Sequence, residues 1–185
     1  MKHTDIIQGK NLYLRNIQLE DCNMKYVSWL NDTEINKYLE SRLSVQSIDS
    51  IMRFVSDILD SKDNYMFAIM HKTSEEHIGN VKIGPIHPVY NHAYVGYIIG
   101  EKKHWGHGLA SEAVYLAVRY GFKILNLHKV NAGVIAPNVG SIKVLEKLGF
   151  KKEACIRDDV YQNEKYIDVY RYGILKNELI APISV

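Results

Sequence analysis

The spacing of apolar residues changes several times along the chain, and each change marks a predicted element. Strict alternation indicates a strand, whereas apolar residues three and four apart indicate one face of a helix. The pattern predicts, in chain order, a strand at 12–15, a helix at 16–30, a short helix and loop at 29–42, a helix from Ser44 or Ser47 to about Leu59, strands at 65–71, 77–83 and 93–100, a helix at 111–122, a strand at 129–134, a helix from the Asn138 N-cap to Gly149, and strands at 152–157 and 166–175.

This order of elements predicts an α/β fold in one domain over residues 1–185. Neighbouring strands form antiparallel hairpins, and two helical crossovers follow the strand at 93–100. Because that strand is apolar on both faces, we expect it at the centre of a mixed sheet. A crevice is expected where it meets the loop that follows.

The loop after this strand has the sequence Trp105-Gly106-His107-Gly108-Leu109-Ala110, and we call it the anion loop. A glycine-punctuated turn that enters a helix leaves several backbone N–H groups unpaired, with the positive end of the helix dipole behind them. Such a turn binds a phosphate or pyrophosphate. Lys102, Lys103 and His104 add positive or titratable side chains nearby.

The anion loop does not match the common nucleotide loops. A P-loop requires Lys-Ser or Lys-Thr after its last glycine, where this chain has Leu109-Ala110. A dinucleotide fingerprint requires a third Gly or Ala where this chain has Ser111, and it also requires a later acidic residue at a strand end. These comparisons favour a different phosphate-bearing ligand.

The anion loop resembles the acyl-CoA loop of the GNAT N-acetyltransferases, written Q/R-x-x-G-x-G/A. Gly96-Tyr97-Ile98-Ile99-Gly100 precedes it, and Asn138-Val139-Gly140-Ser141 and Val144-Leu145-Glu146-Lys147-Leu148-Gly149-Phe150 follow at the spacing that the family shows. With Asp168 in the last strand, these motifs are similar to the branch that contains the ribosomal-protein serine/alanine N-acetyltransferases. Trp105 departs from the Gln or Arg of the general motif and removes one side chain from phosphate binding.

The resemblance implies a GNAT fold of about seven strands and four helices, with a central strand that splays from its neighbour. It also implies acetyl-CoA as the acetyl donor, CoA as a product and no metal. The residues that match the family's cofactor-binding positions are Ile98, Ile99, Gly100, Trp105, Gly106, His107, Gly108, Leu109, Ala110, Ser111, Asn138 and Ser141.

The implied chemistry is direct attack of an amine on the thioester, with the backbone N–H of Ile99 directed at the developing oxyanion. Many members protonate the departing thiolate with a Tyr at the position of Leu145, so Ser141 or a Tyr from elsewhere must replace it here. Ser141 can instead bond its own helix backbone. His92 and Glu40 are candidate bases for the amine.

The acceptor is expected at residues 29–42, which we call the acceptor segment, and at residues 84–92. The acceptor segment mixes acidic, basic and aromatic residues, which suits a small polar amine, such as an amino sugar, as well as a protein N-terminus. The branch that the chain resembles contains many small-molecule enzymes, which slightly favours the small amine. Trp29 can equally belong to the core, and His77, His87 and Glu112 have structural alternatives to catalysis. The candidate substrate-binding residues are Trp29, Glu34, Tyr38, Arg42 and Asp168.

Composition narrows the partners further. A net charge of +2 without a basic stripe gives no indication of nucleic-acid binding. Residues 1–10 are polar and no long apolar run occurs, so neither a signal peptide nor a membrane span is expected. Two distant cysteines, Cys22 and Cys155, suit a reducing cytoplasm. A monomer and a homodimer remain equally compatible.

Two other interpretations remain open at the level of the sequence. A non-catalytic acyl-CoA-binding regulatory domain on the same fold would account for Leu145 at the usual Tyr position. An unrelated nucleotide-binding α/β domain would account for the glycine turn alone, although the residues after the last glycine argue against it.

Overall fold

The computed structural model describes residues 6–182, which form one mixed sheet flanked by helices. The helices are α1 (Met24–Asn31), α2 (Ile48–Asp60), α3 (Leu109–Lys123) and α4 (Val139–Lys147). The strands are β1 (Ile7–Gln8), β2 (Leu12–Asn16), β3 (Tyr65–His71), β4 (His77–Ile83), β5 (His92–Ile99), β6 (Lys129–Ile135), β7 (Lys151–Gln162) and β8 (Lys165–Leu175).

The sheet has eight strands in the order β1-β2-β3-β4-β5-β6-β8-β7. Every neighbouring pair is antiparallel except β5 and β6, which run parallel with α3 as their crossover. The four helices and the central place of β5 confirm the expectation. The count of about seven strands was one short, because β1 is two residues long and gives no readable alternation.

The central strand parts from its parallel neighbour after a short contact. Only His92, Ala93 and Tyr94 of β5 pair with β6, whereas β5 stays paired with β4 up to Ile99. The strands therefore open into a gap along residues 95–99, which confirms the expected splay.

Helices cover both faces of the sheet. The larger core lies under α3 and α4 and includes Leu116 and Leu145, and a second core lies under α1 and α2 and includes Trp29 and Val55. This arrangement brings the N-termini of α3 and α4 to the same face and the same end of the gap.

Local sequence fixes most helix ends. Ser47 accepts a hydrogen bond from the Ser50 backbone N–H at the start of α2, and Asn138 accepts one from the Ser141 N–H at the start of α4. Gly149 follows α4 with φ of +92°, the left-handed conformation that favours glycine there.

The first predicted helix begins later than expected. Residues 19–21 form a short 3₁₀ turn, and α1 starts only after Asn23, whose side chain accepts from the backbone N–H groups of Lys25 and Tyr26. The prediction of one helix over 16–30 was wrong because Asp21 binds Arg15 and the Gln18 N–H instead of lying on a helix surface.

Across residues 6–182, no helix combines the length and apolar character needed to cross a membrane.

Candidate active site

The anion loop enters α3 through two glycines in the left-handed region. Gly106 has φ of +79° and Gly108, the N-cap of α3, has φ of +77°. Open space surrounds the place where a Cβ on Gly106 would lie, so a ligand can approach the backbone there. The first intrahelical bond runs from the Glu112 N–H to the Gly108 carbonyl. The N–H groups of residues 109–111 precede it and are directed out of the helix end.

Trp105 makes a contact that its place in the motif did not suggest. Its indole N–H donates to the Ile99 carbonyl oxygen at 2.8 Å, while the ring stays 38% exposed. The side chain therefore ties the anion loop to the end of β5. This contact gives the Trp at the Gln/Arg position a function in loop geometry in place of a phosphate contact.

The gap receives backbone groups from alternate residues of β5. The Gly84 N–H donates to the Tyr94 carbonyl and the Gly100 N–H donates to the Ile78 carbonyl, which fixes the phase of the β4–β5 ladder. In an antiparallel ladder the intervening residues direct their backbone groups to the other side. Tyr97 and Ile99 therefore direct theirs into the gap.

This phase corrects part of the expected cofactor set. Ile98 lies opposite Asn80 in a hydrogen-bonded pair of the ladder, and the Gly100 N–H is bonded to Ile78. Their backbone groups consequently face β4. Of the three residues expected to offer backbone groups, only Ile99 directs its N–H into the gap. Tyr97, which the motif did not single out, does the same.

Trp29 belongs to the core under α1. It is 3% exposed, its indole N–H donates to Glu101 Oε1 at 3.1 Å, and its ring lies against Gly100, where any side chain would overlap it. His77 packs edge-on at 5.1 Å between ring centroids. The structure therefore places Trp29 in the core behind the end of β5, where it positions the strand, which agrees with the core alternative for this residue.

The first turn of α4 brings Asn138 and Ser141 to the gap. Asn138 Oδ1 accepts from the Ser141 backbone N–H at 3.1 Å. Ser141 lies one turn before Leu145, which is 1% exposed in the core, so both residues share the inward face of α4. The N-cap function of Asn138 is confirmed, and its side-chain N–H₂ group is not used by the cap.

The side chain of Tyr97 reaches this turn of α4. Tyr97 alternates with the buried residues Val95 and Ile99 and packs against the same core. Burial raises the pKa of its hydroxyl to about 12, and the nearby Ser141 side chain opposes the rise. Among the described residues, none meets this hydroxyl at the length and angles of a hydrogen bond.

The basic side chains near the anion loop are largely paired. Lys102 Nζ lies 2.8 Å from Asp32 and 2.6 Å from Glu34, and Lys103 Nζ lies 2.8 Å from Glu76. The Lys103 contact is the main cause that lowers the pKa of Glu76 to about 2. Glu34 therefore anchors the acceptor segment to the loop region through Lys102.

An open depression of about 410 Å³ adjoins the N-terminus of α3. Its lining is polar and rich in histidine, and consists of Asn11, His71, Lys103, His104, His107 and Leu109. His107 is thus exposed beside the loop amides.

Glu112 is structural. It is fully buried, and its carboxylate accepts from the Asn11 backbone N–H at 2.8 Å, the Asn11 side chain at 2.9 Å and the Leu12 N–H at 3.3 Å. The sequence indicated only a favourable charge in the first helical turn. The residue in fact binds the start of β2 to the helix that follows the anion loop.

The acceptor segment spans the open end of the gap. The Tyr38 hydroxyl donates to the Pro137 carbonyl at 3.2 Å, and the Gln162 side chain donates to the Lys37 carbonyl at 2.8 Å. Glu40 has a side chain that is 80% exposed, with Arg42 3.7 Å away. The segment is therefore held between the start of α4 and the β7–β8 hairpin.

Asp168 lies near the same end, because its carbonyl accepts from the Ala136 N–H just before α4. Its carboxylate accepts from the Asp158 N–H at 3.1 Å and from the Cys155 thiol at 3.3 Å. These two hydrogen bonds hold the pKa of Asp168 below its usual value. The ionised carboxylate thereby orders the irregular stretch of β7.

His92 lies far from these groups. It is at the closed end of β5, paired with Lys129, and its ring lies 5.2 Å from that of His87. Along an extended strand it is about 23 Å from Ile99, at about 3.3 Å per residue. The structure therefore places His92 and residues 84–92 at the opposite end of β5 from Ile99, a distance that disfavours His92 as a base for an amine bound in the gap.

His77 is likewise part of the framework. Its Nε2 is 2.9 Å from both the Gly79 carbonyl and Asn80 Oδ1, and its Nδ1 is 3.8 Å from Asp21. Burial lowers its pKa, so the ring favours the neutral form inside this network.

Comparison with known proteins places this geometry in context. The family described as "Acetyltransferase (GNAT) domain" matches residues 11–151. The chain is 34% identical over 176 residues to the "Uncharacterized N-acetyltransferase p20" of Bacillus licheniformis, covering 94% of this chain and 98% of the relative.

Two solved structures share the architecture. The spermidine N-acetyltransferase from Vibrio cholerae in complex with CoA and spermine aligns with a TM-score of 0.82 at 26% identity, covering 92% of this chain and 98% of that one. Mycobacterium smegmatis RimJ in complex with CoA-disulfide aligns with a TM-score of 0.78 at 19% identity, covering 92% and 85%, and this likeness concerns the fold.

Proposed function

We propose, from the premise that this chain belongs to the acetyltransferase (GNAT) domain family and is an N-acetyltransferase, that it moves the acetyl group of acetyl-CoA to the primary amine of a small cationic molecule. The observation that carries the proposal is the gap between β5 and β6, which has the N-termini of α3 and α4 at one end and the acceptor segment across it. A non-catalytic domain is not favoured, because the relatives over the whole chain are named as N-acetyltransferases.

The residues present fit acetyl-CoA. Amides of residues 109–111 and the exposed backbone at Gly106 suit a pyrophosphate. The backbone groups of Tyr97 suit the amides of a pantetheine arm that lies in the gap as an added strand would. The Ile99 carbonyl already accepts from Trp105, which leaves the Ile99 N–H for the thioester oxygen. The Asn138 side chain uses its Oδ1 in the cap, which leaves its N–H₂ group as a candidate donor to the same arm from α4.

The protein's contribution to the chemistry is alignment and hydrogen bonding. The amine nitrogen attacks the thioester carbon, and the Ile99 N–H donates to the oxygen as negative charge develops on it. The C–S bond then breaks, and its electron pair goes to sulfur. We assign the proton that sulfur gains to the Ser141 hydroxyl, on the inward face of α4.

The preference for a small cationic acceptor rests on the acceptor segment. Its contacts with Pro137 and Gln162 narrow the approach to the gap, which favours a slender ligand. The exposed carboxylate of Glu40 and the ionised Asp168 attract ammonium groups. Polyamines fit this chemistry, and so do amino sugars; a Vibrio cholerae spermidine N(1)-acetyltransferase shares 32% identity over 56% of this chain. Glu40 also remains the candidate base.

A protein N-terminus is the second candidate acceptor. It is favoured by the exposed Tyr161 and Tyr166 rings on the β7–β8 hairpin, which offer a surface for an extended peptide.

Thermal unfolding with acetyl-CoA, CoA, ATP and NAD in parallel tests the donor. At a concentration near one hundred times Kd, a ligand that binds only the folded protein raises the free energy of unfolding by about 2.7 kcal/mol. For a chain of this size, this raises Tm by about 5–11 °C. We expect this shift with acetyl-CoA and CoA alone. A larger shift with ATP or NAD would refute the assignment of the anion loop.

Release of the CoA thiol then tests the acceptor. Spermidine, glucosamine and a short peptide with an N-terminal Ser are compared at equal concentration. The proposal predicts the highest kcat/KM for spermidine or glucosamine, and a preference for the peptide would overturn it in favour of the second candidate.

A further inference from the structure

We propose that Tyr97 is a positioning residue that orients the Ser141 hydroxyl toward the sulfur of CoA. The inference rests on the proposed function, because it concerns the leaving group of the same reaction. It answers a question that the sequence raises, namely what replaces the Tyr that many relatives have where this chain has Leu145.

The positions of Leu145 and Tyr97 favour this role. Leu145 is fully packed in the core and offers no proton. Tyr97 brings a phenol to the same region from the opposite wall, because its side chain lies on the α3–α4 face of β5. Its backbone faces the gap as well. Both parts of the residue therefore lie beside the space that suits the pantetheine arm.

The hydroxyls of Tyr97 and Ser141 can pair. The Tyr97 hydroxyl is buried and has no hydrogen-bond partner among the described residues. The Ser141 side chain is the neighbouring polar group that opposes the rise in its pKa. Leaving a buried hydroxyl unsatisfied is unfavourable, so an adjusted Ser141 rotamer that accepts from Tyr97 is stabilised. With its oxygen accepting from Tyr97, Ser141 has its own O–H free to donate elsewhere.

Tyr97 is assigned as the donor of that hydrogen bond. Burial raises the pKa of its phenol to about 12, so the hydroxyl keeps its proton at neutral pH and can donate it to a hydrogen bond. Ser141 then carries out both proton transfers that the reaction needs. When the C–S bond breaks, Ser141 gives its proton to sulfur and takes the proton that the amine nitrogen loses as the C–N bond becomes an amide. Tyr97 keeps its own proton throughout.

The test uses CoA and desulfo-CoA, which lacks the sulfur, so it needs no acceptor. Their dissociation constants are measured by calorimetry at about pH 7 and about pH 9.5, on either side of an ordinary thiol pKa near 8.5. The ratio of the two dissociation constants reports the contribution of the sulfur, because both ligands carry the same phosphates. For the wild-type protein we expect the preference for CoA to rise with pH, because Ser141 donates to the thiolate.

The variants are Tyr97→Phe, Ser141→Ala and the double variant, with Tyr115→Phe on α3 as the matched control. In each of the first three variants, the increase in the preference for CoA between the two pH values should be about tenfold smaller, as for the loss of one hydrogen bond to a charged acceptor. The double variant should lose no more than Ser141→Ala, because both residues act through one hydroxyl. Tyr115→Phe should retain the rise. With an active acceptor, Tyr97→Phe should lower kcat while leaving the KM for acetyl-CoA unchanged.

The outcomes separate the two proposals. If Tyr97→Phe keeps the wild-type rise, or if the wild-type protein binds CoA without any rise, the role of Tyr97 is refuted while the proposed function stands. If the wild-type protein binds neither ligand, the proposed function itself fails. A Tyr97→Phe protein with an unchanged Tm excludes misfolding as the cause of a lost rise.

Discussion

Removing the carboxylate of Glu112 should loosen the helix that carries the anion loop. Glu112 is fully buried and accepts three hydrogen bonds from Asn11 and Leu12, at 2.8, 2.9 and 3.3 Å. Glu112→Ala leaves two backbone N–H groups unsatisfied and opens a small cavity. Each unsatisfied buried donor lowers the free energy of unfolding by about 1–3 kcal/mol, and the cavity adds to this loss. The two donors and the cavity together should lower it by about 3–5 kcal/mol.

Glu112→Gln should cost less. Its amide oxygen can retain the two backbone N–H donors, while the Asn11 side chain turns to present its own oxygen to the new N–H₂ group. The hydrogen bonds then lose only the extra strength that a charged acceptor gives them, which lowers the free energy of unfolding by about 1–2 kcal/mol. For a chain of this size, about 1 kcal/mol corresponds to about 2–4 °C in Tm. We therefore expect Tm to fall by about 6–20 °C for Glu112→Ala and by about 2–8 °C for Glu112→Gln.

Thermal unfolding by circular dichroism at neutral pH measures both values. Asp57→Ala is the control, because it removes an exposed carboxylate from the middle of α2 and should change Tm by little. Acetyl-CoA should also bind more weakly to Glu112→Ala than to the control. The reasoning would be refuted if Glu112→Ala unfolded within about 2 °C of the wild-type protein, about the effect of a mere surface change.

Three further predictions follow from other contacts. Gly100→Ala places a methyl group against the Trp29 ring and should lower the free energy of unfolding in urea by about 1–3 kcal/mol. Gly96→Ala, which has open space at its Cβ, should leave that free energy almost unchanged, and equal effects of the two changes would contradict the packing argument. Asn138→Asp keeps the α4 cap and should keep Tm while weakening acetyl-CoA binding in calorimetry, whereas Asn138→Ala should also lose about 1 kcal/mol; unchanged binding by Asn138→Asp would exclude a cofactor contact. Because burial lowers the pKa of His77, its stabilising contribution is complete above about pH 6.5 and is lost as pH falls through its folded pKa. His77→Gln should flatten that part of the curve of unfolding free energy against pH, and a curve of unchanged slope would assign the acid sensitivity elsewhere.

The anion loop shows how far local sequence reaches. Two glycines, the apolar spacing after them and the strand before them predicted the turn and α3, since each depends on residues close in the chain. The same holds for the Asn138 cap and for Gly149. The failures were also local, because the helix predicted from residue 16 begins only after Asn23, where the side chain of Asp21 has already turned to Arg15.

Contacts between distant residues were beyond this reasoning. Glu112 and Asn11 are separated by 101 positions, and nothing near Asn11 indicates its partner. His92 illustrates the opposite error, because it is close in sequence to Ile99 but lies at the other end of an extended strand. Residue type and proximity in sequence suggested a base, and the length of the strand places this residue far from the gap beside Ile99.

The sequence alone determined the family, the order of elements and the place of the anion loop, because glycine conformation, helix caps and hydrophobic periodicity act over a few residues. Only the tertiary structure decided which groups face the gap. The phase of the β4–β5 ladder selects Tyr97 and Ile99 over Ile98 and Gly100, and the packing of α4 places its first turn on the same face of the sheet as the Tyr97 side chain. A shift of one residue in that ladder would exchange these sets, and such a register is fixed by packing across the whole sheet.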